Sequence, residues 1–227
     1  MRFPNDTERH SIVGATGSGK THAALWQLSL RDFDAKPWII YDFKQEELIN
    51  DLEGVHHLTE QSKIPERPGI YVIHPHPAAD KEIEEQMWQI WQNGNTGVYV
   101  DEGYMIGANS KAFRSLLTQG RSKHIPMIVL SQRPVWMDRF VFSESQIFQV
   151  FRLQHNGDYR NVMEFVPFQS QQWFIDGRYR IPPRLKKFHS YYYDAVEDNM
   201  EHLGPVADRD AIMNTFDRRL SRLKKVI

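Results

Sequence analysis

Short blocks of apolar, mostly β-branched or aromatic residues recur along the chain. Most are followed by stretches in which apolar positions return every three or four residues. Blocks of the first kind are Ser11-Ile12-Val13, Pro37-Trp38-Ile39-Ile40-Tyr41-Asp42, Gly69-Ile70-Tyr71-Val72-Ile73, Gly97-Val98-Tyr99-Val100-Asp101-Glu102 and residues 126–134. Continuous apolar runs of this length suit strands covered on both faces. Stretches of the second kind cover residues 22–28, 46–52, 80–92 and 111–119. In 80–92, Ile83, Met87, Ile90 and Trp91 recur at helical spacing, and Asn93-Gly94-Asn95 ends the helix. Trp88 and Trp91 read as packing residues. Strand-like and helical patterns in alternation predict an α/β fold with a mostly parallel central sheet.

The pattern changes towards the C-terminus. Residues 145–153 alternate as a strand, and 158–165 read as a short helix. Trp173-Phe174-Ile175 and Arg178-Tyr179-Arg180 flank Asp176-Gly177, which predicts a hairpin. Residues 186–193 suggest a last strand, whose aromatics either stack on nucleobases or pack on the sheet. Residues 208–227 read as a tail helix with a basic end, Arg218 to Lys225, which either binds DNA or a neighbouring copy or complements its own dipole. The organisation expected is one domain over 1–195 and a helical tail over 196–227.

At 227 residues and 41% apolar, the chain can bury one large core. Net charge is -1, so no overall field points to nucleic acid or membrane; such a partner needs local clusters of charge. The chain has no cysteine, which excludes disulfides and thiolate metal sites. Residues 1–9 are polar, unlike a signal peptide. No apolar run is long enough to cross a bilayer. These features predict a soluble intracellular protein.

The first chemical signal is Gly14-Ala15-Thr16-Gly17-Ser18-Gly19-Lys20-Thr21, a phosphate-binding loop without mismatch between a strand and a helix. Its glycines let successive N–H groups turn towards phosphate oxygens. Lys20 would reach the β- and γ-phosphates, Thr21 Oγ1 would ligate Mg²⁺, and the helix N-terminus favours anions. The expected ligands are therefore ATP and Mg²⁺. The second signal is the strand ending in Asp101-Glu102. The first acid would support Mg²⁺ through water, and the second would polarise an attacking water. A phosphate-loop kinase for a small molecule does not need that second acid. Gln132, at the end of the strand before Arg133-Pro134, is placed to sense the γ-phosphate or the water. Arg114, Arg121 and Arg133 are candidates to act on a neighbouring subunit's site, Arg121 preferred. Asp42 is read either as a contact near the phosphates or as a strand-end turn residue. His56, His57, His74 and His76 lack a carboxylate or cysteine at ligand spacing and read as loop residues.

Taken together, Gly14–Thr21, Tyr41-Asp42-Phe43-Lys44, Val98–Glu102, Gly120-Arg121 and Ile128-Val129-Leu130-Ser131-Gln132-Arg133-Pro134 resemble the FtsK/HerA superfamily of DNA-pumping ATPases. Val150-Phe151-Arg152-Leu153 is similar to the phage branch. The chain's size looks most like the genome-packaging ATPases of tailless icosahedral phages with an internal membrane. The resemblance covers roughly residues 10–165. It implies a three-layer RecA-like core and a hexameric ring through which double-stranded DNA is driven into a preformed capsid. It also implies capsid vertex proteins as partners, and the host cytoplasm or the virion's packaging vertex as location. Lys20 and Thr21 would bind nucleotide and Mg²⁺, Asp101 would support the metal, Glu102 would activate water, Gln132 would sense the γ-phosphate, and Arg121 would act in trans. Loops 104–110 or 133–142 would push the DNA. Asp42-Phe43-Lys44-Gln45 departs from the family in lacking Pro and Gly. The transmembrane segment of the filamentous-phage branch is absent. Another FtsK/HerA-type DNA-pumping or filamentous-phage-assembly-like ATPase, a small-molecule kinase and a non-hydrolysing, nucleotide-bound vertex scaffold remain the alternatives.

Overall fold

The computed structural model describes residues 1–107, 109–167, 174–175, 178–179 and 185–223. In chain order the elements are β1 (Arg9–Val13), α1 (Lys20–Ser29), β2 (Pro37–Asp42), α2 (Glu47–Asn50), β3 (His56–Leu58), β4 (Gly69–Ile73), α3 (Asp80–Asn93), β5 (Gly97–Asp101) and α4 (Lys111–Gln119). There follow β6 (Met127–Ser131), α5 (Arg139–Ser143), β7 (Ile147–Phe151), α6 (Asn156–Met163), β8 (Phe174–Ile175), β9 (Arg178–Tyr179), β10 (Ser190–Asp194), β11 (Asn199–Leu203) and α7 (Arg209–Leu223).

Nine strands form one sheet in the order β11-β10-β7-β1-β6-β5-β2-β4-β3. From β7 to β3 every pair is parallel; β10 and β11 are antiparallel additions at one edge. This is the α/β, mostly parallel architecture expected. Side chains alternate across the pleat, so each strand feeds two cores. Trp38 and Ile40 of β2 pack with Leu25 and Leu28 of α1, Ile49 of α2 and Phe216 of α7. Ile39 and Tyr41 pack on the other face with Ile83 and Met87 of α3, Phe113 of α4 and Val162 of α6. Helices on both faces make three layers.

Close packing explains one glycine. Gly97 of β5 stands opposite Trp38 of β2, and a Cβ on Gly97 would fall 2.2 Å from the buried indole. A larger residue at 97 would displace the ring.

The structure corrects the sequence reading in places. His56 and His57 lie on the edge strand β3 rather than in a loop, stacked on Tyr71 and His74 respectively. Residues 199–203 form β11, so the sheet continues past the expected boundary after 195, which falls in the β10–β11 turn. Within 133–142 there is a 3-10 turn, Pro134–Trp136, and the start of α5. The strands of the expected hairpin pair as β8 and β9, while Asp176-Gly177 lies outside the described residues. The tail helix docks on the α1 face: Phe216 stacks on Phe33, and Arg219 donates to Ser29 O and Asp34 Oδ1, each at 2.8 Å. Residues 224–227 lie outside the described residues.

Candidate nucleotide-hydrolysing site

Parallel register brings the strand ends to one level. Val13 faces Ser131 on one side and Val150 on the other, Val100 faces Val129, and Asp42 faces Asp101. Ligands of open α/β sheets bind beyond this carboxyl edge. The loop leaving β1 is tied to both neighbouring strands: Gly14 N–H donates to Ser131 O at 3.1 Å and Ala15 N–H to Arg152 O at 2.8 Å. Gly14 has no room for a side chain, since a Cβ would meet Phe151 Cβ at 2.5 Å and Ser18 Oγ at 2.7 Å. Gly17 and Gly19 adopt φ of 68° and 104°, the left-handed region that glycine enters without a steric cost. Gly19 caps α1, whose first turn carries neither a side-chain cap nor an acidic residue. The free N–H groups of that turn and the helix dipole therefore face the loop's cavity as an anion site.

Lys20 is buried, and its ammonium donates to Ala15 O at 3.2 Å. Burial pulls its pKa down to about 8, with the negative charges of Glu102 and Asp101 opposing that fall. Thr21 follows in the first turn of α1.

Asp101 ends β5, fully buried, and neither of its carboxylate oxygens has a hydrogen-bond partner among the described residues. Burial first, then the nearby acids Glu102, Glu46 and Asp42, raise its pKa to about 7, against the pull of Lys44. A buried carboxyl without partners beside a phosphate loop fits a cation-supporting role, and Thr21 supplies the hydroxyl that a hard divalent ion takes.

Glu102 is also fully buried, and its backbone lies in the left-handed region, at φ 63° and ψ 71°. A non-glycine residue there is strained and held by its surroundings. Two contacts hold its carboxylate: the Lys44 ammonium bonds Oε1, and Gln132 N–H donates to Oε2 at 3.0 Å. The Gln132 side chain accepts from Thr16 Oγ1 at 2.6 Å. Gln132 thus bridges the acid after β5 and the phosphate loop.

The structure brings together Gly14, Ala15, Thr16, Gly17, Ser18, Gly19, Lys20, Thr21, Asp101, Glu102 and Gln132. It does not bring Arg121 to them. Arg121 lies exposed in the 3-10 turn Gly120–Lys123 before β6, near Arg9 at the start of β1. The length of β6, about 17 Å at 3.3 Å per residue, separates that edge from the loop. Arg114 bonds Asp138 Oδ2 at 2.6 Å, and Arg133 bonds the buried Asp158 at 3.1 Å. Asp42 accepts from the N–H groups of Glu46 and Lys44 and lies 3.3 Å from His74, so it caps the turn after β2. Lys44 was given no role by the sequence reading; its signal was the adjacency of β2 and β5, which spacing along the chain does not reveal.

No protein-family profile matches the chain. It is 46% identical over 218 residues to DNA packaging ATPase P9 of Enterobacteria phage PRD1, covering 96% of this chain and 95% of that one. Its fold is similar to that of the genome packaging NTPase B204 of Sulfolobus turreted icosahedral virus 2, solved with AMPPCP. There the TM-score is 0.67 at 16% identity, over 89% of this chain and 100% of B204. It is also similar to the cytoplasmic domain of the Thermomonospora curvata type VII secretion ATPase EccC. That match has a TM-score of 0.57 at 16% identity, over 94% of this chain and 28% of EccC. Near-complete coverage at that identity to P9 places the whole chain, not only its phosphate loop, in one lineage: it belongs to the family of viral DNA packaging ATPases.

Proposed function

We propose that this chain hydrolyses ATP and couples the hydrolysis to driving double-stranded DNA into a viral capsid, as a ring of copies, hexameric by analogy with the pumping ATPases, docked at a capsid vertex. The observation that carries the hydrolytic reading is Glu102: a buried carboxylate beside the phosphate loop, held by Lys44 and Gln132 N–H. A small-molecule kinase does not need a second acid to activate water, and a static scaffold has no use for one. The loop N–H groups and Lys20 bind the triphosphate, and Glu102 accepts a proton from the attacking water. Mg²⁺, when bound, supplies charge that neutralises the phosphate oxygens; Thr21 and Asp101 are the residues to hold it. Gln132 moves its side chain between Thr16 and the γ-phosphate. Arg121 can serve only a neighbouring copy's nucleotide, given its distance from its own loop.

The test measures phosphate release with and without duplex DNA, and with a nucleoside acceptor present. DNA-stimulated release that is lost in Glu102→Gln while ATP binding persists supports the motor. Transfer to the acceptor, indifferent to DNA, sinks it. For Arg121, mixing inactive Lys20→Ala with inactive Arg121→Ala subunits should restore hydrolysis at mixed interfaces. A mixture no more active than its parts refutes action in trans.

A further inference from the structure

Residues 185–189 lead into β10 and pass directly over the mouth of the phosphate loop. Phe188 is the point of contact. A Cβ on Gly19 would lie 3.2 Å from the Phe188 ring and 3.7 Å from its Cα. Phe188 itself has φ 66°, and the residue is 42% exposed. A phenylalanine in the left-handed region with a half-open ring is costly to keep unless the ring has a use.

This strap divides the space beside the loop into two cavities that meet at Phe188. One, about 280 Å³, lies over Ala15–Ser18 and carries Arg152, Lys186 and Lys187. It is cationic and suits phosphates. The other, about 300 Å³, is walled by Gly19, His22, Phe188 and residues 205–207, with Asp208 and Arg209 at the start of α7 on its rim. Its walls are largely apolar, and it lies on the side from which α7 begins. No hydrogen bond among the described residues uses the peptide groups of Val206 or Ala207. A polyphosphate needs only the first cavity. An apolar slot with an aromatic wall and free peptide groups is the chemistry that takes a flat heteroaromatic ring.

We propose that the cavity between Phe188 and Pro205–Ala207 is the nucleobase site of the bound nucleotide, with Phe188 stacking on the base. The proposal rests on the nucleotide-binding reading above and adds to it the residues that recognise the base. The same segment then serves both parts of the ligand: Lys186 and Lys187 line the phosphate cavity, the Lys187 ammonium resting 4.7 Å from the Phe188 ring centroid, and Phe188 also walls the base cavity. Closing the pocket depends on the turn between β11 and α7, so the tail region belongs to the site.

The experiment compares the affinities of ATP and of inorganic tripolyphosphate, a base-free probe, in Mg²⁺ buffer by calorimetry. In Phe188→Ala, ATP should bind about tenfold more weakly, the order of one lost stacking contact, with tripolyphosphate unchanged. Phe188→Trp should keep ATP affinity. Val206→Glu, on the opposite wall, should reproduce the selective loss. Lys20→Ala should weaken both ligands. Equal weakening of both ligands in Phe188→Ala, or no change with ATP in either wall variant, overturns the base site. Wild-type protein binding tripolyphosphate as tightly as ATP overturns it too, while the phosphate site stands. Wild-type protein binding neither ligand removes the nucleotide reading itself.

Discussion

Replacing Asp101 by Asn should make the nucleotide-free protein more stable at pH 8 while impairing its use of Mg²⁺ and ATP. Asp101 is buried with both oxygens unpartnered, and its pKa rises from 3.8 to about 7. Across that window the folded chain holds a proton that the unfolded chain has released. Stability from this group is therefore present below about pH 4 and is lost as pH rises through about 7. At 1.36 kcal/mol per tenfold, the difference corresponds to roughly 4 kcal/mol at pH 8. The amide of the variant is also buried and unpartnered, which takes back about 1–3 kcal/mol. A net gain of roughly 1–3 kcal/mol remains, a rise of several degrees in Tm for a chain of this size. The assay is thermal and urea denaturation in EDTA at pH 8 and pH 4, repeated at pH 8 with Mg²⁺ and ATP. At pH 4 the carboxylate's cost has largely gone while the amide's remains, so the order should reverse and the variant should be the less stable by up to about 1–3 kcal/mol. Added ligand should stabilise the wild type more than the variant. A variant less stable at pH 8, or a gap independent of pH, would refute the claim that an unpaired buried carboxylate sits at the end of β5.

Three other outcomes follow from the contacts described. Lys20 is charged only below about pH 8 in the free protein, so triphosphate binding near pH 9 should take up a proton, seen as a buffer-dependent calorimetric enthalpy; Lys20→Ala should abolish the uptake. Lys44→Met strips Glu102 of its counter-charge and should cost about 2 kcal/mol, discounted for the partly exposed lysine. The double variant Lys44→Met/Glu102→Gln should recover most of that loss, and denaturation showing strictly additive effects would contradict the pairing. Gly97→Ala should destabilise by at least about 1–3 kcal/mol through the clash with Trp38, and in a chain already carrying a smaller residue at 38 the same substitution should cost much less.

The buried parallel strands were legible because both faces are apolar: Trp38 to Tyr41 or Ile128 to Leu130 leave no other reading. Two strands were missed for the complementary reason. β3 is His56-His57-Leu58 and β11 is Asn199-Met200-Glu201-His202-Leu203; both lie at sheet edges, where one side meets solvent and the apolar signal fades. The phosphate loop was legible because its chemistry is contiguous in the chain. Lys44 and Phe188 were not, because each reaches the site through a strand or strap whose neighbour is distant in sequence. Arg121 could be named from the sequence, but only the sheet shows that it stands at the opposite edge from its own loop.

The two carbonyls that anchor the phosphate loop are Ser131 O, at the end of β6, and Arg152 O, just past the end of β7. Seen from the ribosome, this fixes an order of events. The loop is made before either partner, and it has nothing to hang from until β6 and β7 have been synthesised and have settled on either side of β1. A chain cut short before residue 152 would carry the whole glycine-lysine signature and still lack its cradle. Abortive translation products would then neither burn nucleotide nor compete for it. The capacity to bind ATP becomes a late checkpoint of folding, granted only to chains that have completed the centre of the sheet.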